Sequence, residues 1–156
     1  YLDINSALEL GTSLGLATAA LSLANPSAKI ETIEGCPNTS EVARRYFRDF
    51  QLENIQLHTK DFGTYLAENN SEEQQLIYID GNHNKEKTIQ YFKTLLKQTT
   101  NNSVFIFDDI YWSPEMTLAW QEIIKHPKVT VSIDTFYWGL VFFRSEQPKE
   151  HFNIRL

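Results

Sequence analysis

Short apolar runs alternate along the chain with segments whose apolar residues recur at helical spacing. The first run is 6–10 (Ser-Ala-Leu-Glu-Leu), closed by Gly11. A small-residue helix is predicted from Leu14 to Ala24, stopped by Asn25-Pro26. A second run, Lys29 to Glu34, leads to a helix over Asn38–Phe50, whose Val42, Ala43, Tyr46, Phe47 and Phe50 fall on one face. A third, Asn54 to His58, precedes a short helix over Phe62–Glu68, and the polar stretch 69–73 reads as a loop. The fourth run, Gln75 to Ile79, precedes a helix over Lys85–Lys97. The fifth, Ser103 to Phe107, precedes a helix opened by Ser113-Pro114 and reaching Lys125; serine suits the N-cap and proline the first turn. The last two runs, Val129–Ile133 and Tyr137–Phe143, are so close together that they predict a hairpin with an antiparallel last strand. The tail from Ser145 to Leu156 reads as polar and irregular.

Strands alternating with helices imply right-handed crossovers and an α/β fold, a mostly parallel sheet of about seven strands with helices on both faces. A length of 156 residues fits one domain, and 42% hydrophobic with 22% charged residues is ordinary for a folded soluble protein. The net charge of −6 argues against a binder of phosphate backbones, so no nucleic-acid partner is expected. Apolar runs fall short of a membrane span, and no secretory signal is visible. A single cysteine, Cys36, allows no internal disulfide and suits a reducing compartment, so a cytoplasmic location is expected. Cys36 itself reads as a non-catalytic thiol.

Ligands of open α/β sheets bind outside the carboxyl ends of the strands, so the residues just after each run deserve inspection. Glu9-Leu-Gly11-Thr-Ser-Leu-Gly15 is a glycine turn between a strand and a helix. Gly11 permits a sharp turn, and Gly15 allows close approach of a helix or a ligand. Glu34 ends the second run about 20 residues on, where an acid accepts hydrogen bonds from ribose hydroxyls in nucleotide-binding folds; the alternative is a solvated strand end. Asp61 is either an acceptor for an adenine amine or a helix N-cap. Asp80-Gly-Asn-His83 puts a costly charge at the end of an apolar strand and an imidazole, suited to general-base work near neutrality, three residues on. Asp108-Asp109 ends another apolar strand and, with Asp80, could form an oxygen site for Mg²⁺; the alternative is one capping and one solvated acid. Trp120, Trp138, Phe142 and Phe143 read as core, whereas Tyr111 and Trp112 follow the acidic pair and could line a substrate mouth. His58, His126 and His151 fit no ligand spacing.

In this order, the residues resemble the class I S-adenosylmethionine-dependent methyltransferases. Leu8 to Gly15 looks like their first motif, Glu-x-Gly-x-Gly-x-Gly, with Ser13 in place of the middle glycine. The resemblance implies a Rossmann-like sheet of order 3-2-1-4-5-7-6 with strand 7 antiparallel, and one methyltransferase domain over residues 1–156. It also implies that the cap usually preceding strand 1 is absent, which leaves a face free for a homodimer. Glu9, Gly11, Thr12, Ser13, Gly15, Glu34, Gly35, Asp61 and Asp80 become cofactor-binding candidates. Asp-Gly-x-His followed by Asp-Asp is similar to a bacterial group of small-molecule O-methyltransferases. Metal-dependent catechol and caffeoyl-CoA O-methyltransferases carry metal-binding acids at matching strand ends, reading Asp-Asn where this chain has Asp108-Asp109. By that likeness His83 and Asp80 are catalytic candidates, and Asp80, Asp108 and Asp109 are candidate Mg²⁺ ligands. The expected activity is O-methylation of a small hydroxylated metabolite, with or without metal assistance. Three competitors stand beside it: methylation of a nitrogen or protein acceptor, an inactive module that only binds S-adenosylmethionine, and an NAD-binding domain.

Overall fold

The computed structural model describes residues 2–69 and 73–155; most of the stretch read as a loop at 69–73 lies outside them. Among the described residues, five helices and eight strands follow the predicted order up to the last strand, strands alternating with helices as far as the sixth strand. They are β1 (Ser6–Leu10), α1 (Leu16–Ala24), β2 (Lys29–Glu34), α2 (Pro37–Asp49), β3 (Ile55–Thr59), α3 (Phe62–Glu68) and β4 (Leu76–Ile79). There follow α4 (Lys85–Leu95), β5 (Val104–Asp108), α5 (Pro114–Lys125), β6 (Val131–Asp134), β7 (Trp138–Phe142) and β8 (Glu150–Asn153). All eight strands join one sheet of order β3-β2-β1-β4-β5-β7-β6-β8. β7 is antiparallel to both β5 and β6, and the other pairings are parallel. This is the expected Rossmann-like order with one strand added. The tail expected to be irregular supplies that strand, whose Glu150 to Asn153 pair in register with Val131 to Asp134.

Alternation along the strands sorts side chains onto two faces. Leu8, Leu10, Ile77, Ile79, Phe105 and Phe107 enter the larger core with Tyr91 and Phe92 of α4 and Trp120 and Ile123 of α5. Ala7, Ile30, Leu76 and Val104 face the other way, against Leu21 of α1. Three helix starts carry side-chain caps, of which the sequence announces Asp61 and Ser113 but not Asn84. Asp61 accepts from Thr64 N–H at 3.0 Å, Asn84 from Lys87 N–H at 3.1 Å and Ser113 from Met116 N–H at 3.1 Å. Each satisfies one orphan amide and contributes about 1 kcal/mol. Among the described residues no helix is long and apolar enough to cross a membrane.

The strand order reverses between β1 and β4, and both edges of that reversal meet at Gly11. Asp80 N–H donates to Leu10 O at 2.9 Å, and Gly11 has φ +114°. A Cβ at Gly11 would lie 1.8 Å from the Asp80 carbonyl oxygen, so the backbone contact excludes any side chain. Gly15, at φ +87°, lies against the Phe47 ring of α2, where a Cβ would approach to 2.6 Å. Close approach at Gly15 is therefore to a helix.

We expect Gly11→Ala to lose several kcal/mol of stability through backbone displacement and positive-φ strain. Denaturant unfolding checks this, and a midpoint equal to that of the parent would contradict the backbone contact.

Candidate functional site

The carboxyl ends of the parallel strands surround a cleft of about 300 Å³. Six of the residues singled out in the sequence line it: Gly11, Ser13, Glu34, Gly35, Asp61 and Asp80. Phe62, Gly81 and Asn82 complete the wall. Phe62 had no sequence signal beyond its place in a helical pattern, whereas Gly81 and Asn82 sat inside the Asp80-to-His83 motif.

The glycine loop is anchored from below and from the side. Gly11 and Thr12 N–H both donate to Ile33 O, at 3.0 and 3.1 Å, and Gly15 N–H donates to Thr12 O at 2.8 Å. Ser13, standing where the motif usually has glycine, takes φ +49°. Its N–H donates to Glu34 Oε2 at 3.0 Å, while Glu34 Oε1 accepts from Cys36 N–H at 2.8 Å. Glu34 thus ties the loop to the start of α2, and each of its oxygens keeps a second lone pair for a ligand hydroxyl. Asp61 caps α3, as one of its two readings has it, and it also lines the cleft. The bonds from Thr64 hold its carboxyl below the usual range. Cys36, fully exposed, is the N-cap of α2, and hydrogen bonding by Thr39 lowers its thiol pKa.

Beneath the loop lies a buried polar chain. Glu9 Oε2 accepts from Thr18 of α1 and, at 2.6 Å, from Thr32 of β2. Because Thr32 donates there, Thr12 donates to Thr32 across 2.6 Å. Glu9 and Thr12 are buried, so they sit under the cleft and do not line it. Glu9 Oε1 has no partner. Burial pushes the Glu9 carboxyl up to about 7, against the hydrogen bonds from Thr18 and Thr32 and assisted by the Asp80 charge.

Toward β5 the site becomes acidic and aromatic. Burial, followed by the nearby Asp80 charge, raises the Asp108 pKa. The Tyr78 hydroxyl donates to Asp80 Oδ2 at 3.4 Å, and Trp138 stands opposite Asp108 on β7. His83 Nε2 is 3.6 Å from Asp80 Oδ1, and its ring centroid is 6.0 Å from that of Trp112. Trp138, expected in the core, is half exposed here because β7 ends at this edge of the sheet. Trp120 and Phe143 are in the core as expected, and Trp112 and Tyr111 are exposed.

The expected three-carboxylate metal site does not form. Among the described residues no group of three His, Cys, Asp or Glu side chains is arranged to hold a metal ion. The physical reason is adjacency. β5 ends at Asp108, and Asp109 has already entered a turn at φ +52°. Asp80, Asp108 and Asp109 therefore do not fit a magnesium centre.

Comparison with known proteins agrees with this geometry. Residues 8–110 match the family described as a methyltransferase domain, and the chain belongs to it. Its fold is that of the class I S-adenosylmethionine-dependent methyltransferases. The cofactor-bound protein Rv0187 from MTB superposes with a TM-score of 0.78 at 19% identity, over 90% of this chain and 73% of that one. An O-methyltransferase from Bacillus cereus in complex with SAH gives 0.75 at 18% identity, over 90% and 75%. The O-methyltransferase TomG from Streptomyces achromogenes, involved in tomaymycin synthesis and solved with SAM, gives 0.76 at 17%, over 91% and 74%. Among curated protein sequences none matches significantly.

Glu9 also sets a pH dependence. A carboxyl protonated in the folded chain and ionised in the unfolded one makes stability fall as pH rises. The contribution is complete below about 4.5 and is lost as pH climbs through about 7. Its full size is on the order of 3 kcal/mol. Glu9→Gln should flatten the melting temperature between pH 5 and 8, roughly the window this linkage covers, and melt above the parent at the upper end. Parallel profiles for the two proteins would show that Glu9 is ionised in the folded state throughout.

Proposed function

We propose that this protein transfers the methyl group of S-adenosylmethionine to a hydroxyl of a small molecule, without a bound metal. The observation that carries the reading is the cleft at the β1/β4 reversal, with Glu34 and the glycine loop on one side and the Asp80, Asp108 and His83 group on the other. A reversal of strand order is where open α/β sheets receive nucleotides. The carboxylate of Glu34 would accept from ribose hydroxyls, and Asp61 and Phe62 would border the adenine. The sulfonium supplies an activated methyl, which leaves alignment and a deprotonated acceptor as the protein's work.

His83 is the candidate base. Asp80, 3.6 Å from His83 Nε2, would orient the imidazole. The acidic pair would also favour a cationic sulfonium over its neutral product. The O-methyltransferases from Bacillus cereus and Streptomyces achromogenes, solved with SAH and SAM, support both cofactor and acceptor chemistry as proposals for this chain.

Calorimetry with S-adenosylhomocysteine, in magnesium and in EDTA, tests the cofactor half. We expect equal affinity in both buffers and a loss of about tenfold or more in Glu34→Ala, roughly 1.4 kcal/mol. Binding of NAD in preference to S-adenosylhomocysteine would sink the reading, and magnesium-dependent binding would reinstate a metal.

Methyl transfer to a dihydroxybenzoate probe tests the other half. Turnover should survive EDTA, and His83→Ala should lower kcat by roughly 10²–10⁴-fold with cofactor affinity kept. Cofactor binding with no turnover on any hydroxylated probe would favour a binding module instead.

A further inference from the structure

The structure ties the rim of the site to its C-terminal strand through one buried carboxylate. Asp134 ends β6 and is 1% exposed. Three donors converge on its side chain: the Tyr111 hydroxyl, the Phe136 N–H at 2.8 Å and Arg155 Nη1 at 2.9 Å. Burial pushes this carboxyl pKa up, but the three hydrogen bonds and the Arg155 charge outweigh it and bring it below the usual value. Arg155 arrives because β8 runs parallel to β6, with Asn153 opposite Asp134. The Ile154 N–H and Arg155 Nη1 both donate to the Asp134 carbonyl, at 2.8 and 2.9 Å.

What this carboxylate holds is aromatic and strained. Phe136 has φ +80°, a conformation that a bulky side chain rarely adopts. Its ring stacks on Tyr111 at 5.4 Å and 26°, and the Arg155 guanidinium carbon lies 5.9 Å from the same ring centroid. Tyr111 follows Asp108-Asp109, and Ile110 N–H donates to Tyr137 O at 3.4 Å. The β5–α5 segment and the β6–β7 turn are therefore fastened together beside Asp108 and Trp138, which face each other across β5 and β7.

We propose that Arg155 is a positioning residue: through Asp134 it fixes the Tyr111–Phe136 stack, and with it the 109–112 segment that borders the acceptor side of the site. The acceptor clause rests on the reading that the acceptor enters beside Asp80 and His83. A guanidinium suits the task because it donates to two Asp134 oxygens from one nitrogen while its plane stays near the Phe136 ring. An ammonium supplies the charge without the planar contact.

Arg155→Ala and Arg155→Lys in the full chain test it by hydrogen exchange with bound S-adenosylhomocysteine. Segments 109–113 and 135–138 should exchange roughly tenfold faster in Arg155→Ala and less so in Arg155→Lys, with residues 11–15 unchanged. With 3,4-dihydroxybenzoate as acceptor probe, KM for the probe should rise about 5–10-fold in Arg155→Ala, with the S-adenosylhomocysteine affinity unaltered and partial rescue by Arg155→Lys. Unchanged exchange in 109–113 overturns the proposal, as does faster exchange with an unchanged KM. Exchange that rises equally in 11–15 also overturns it, since Arg155 would then support the fold at large. Should Arg155→Ala not fold, Arg155→Lys carries the same comparison. A parent that does not methylate the probe counts against methyl transfer to this acceptor, and the exchange measurement then decides the positioning role by itself.

Discussion

At Gly11 the backbone of β1 comes so near that of β4 that a Cβ would sit 1.8 Å from the Asp80 carbonyl oxygen. This contact joins the two halves of the sheet where its strand order reverses. Because no side chain intervenes, the chain leaving β1 must turn at once, and the loop 11–15 is held over the Ile33 carbonyl. The same contact fixes where Asp80 begins, and so where its carboxylate meets Asp108 and His83. Glycine loop and acidic pair are thus placed by one backbone approach, with the cleft between them as its geometric consequence.

Directly under that turn is a buried, charge-capable group. Glu9 accepts from Thr18 and Thr32, and Thr32 in turn from Thr12, so loop, β2 and α1 share one polar chain. Hydrogen bonds of this kind gain in a low dielectric, and so does the penalty for the unpaired Glu9 Oε1. A protonated carboxyl lowers that penalty, which is the physical content of a Glu9 pKa near 7.

Much of this was legible in the sequence because the rules at work are local. Apolar alternation gave every strand of the parallel sheet to within a residue or two. Ser113-Pro114 announced α5, and Gly11 and Glu34 announced the cleft. The failures share a cause: partners distant in the chain decided them. β8 is exposed along its whole length, so no hydrophobic pattern marks Glu150 to Asn153, and only pairing with β6 makes them a strand. Trp138 sits in an apolar run that reads as core, yet its position at the end of β7 brings it to Asp108. Asp108 and Asp109 look like a ligand pair because they are neighbours in sequence, yet β5 ends between them and Asp109 already belongs to a turn. Arg155 carries no signal of its own; its role exists only once β8 has delivered it to Asp134.

Backbone strain gathers at the same sheet edge. Of the described non-glycine residues with positive φ, Ser13, Asn82, His83, Asp109 and Phe136 all follow the carboxyl ends of strands. Each such conformation costs on the order of 1–3 kcal/mol and persists only where its surroundings over-determine it. The surroundings are visible: Glu34 holds Ser13, the Tyr91 hydroxyl accepts from the Asn82 amide at 2.8 Å, and Asp134 holds Phe136. Trp112 N–H, donating to Asp109 O at 2.9 Å, closes the turn after β5. Tyr91 itself is anchored in the core between sheet and α4. The apolar interior therefore does more than stabilise the fold. Through these few bonds it supports a set of unfavourable turns gathered along one edge of the sheet, an arrangement that none of those segments would hold alone.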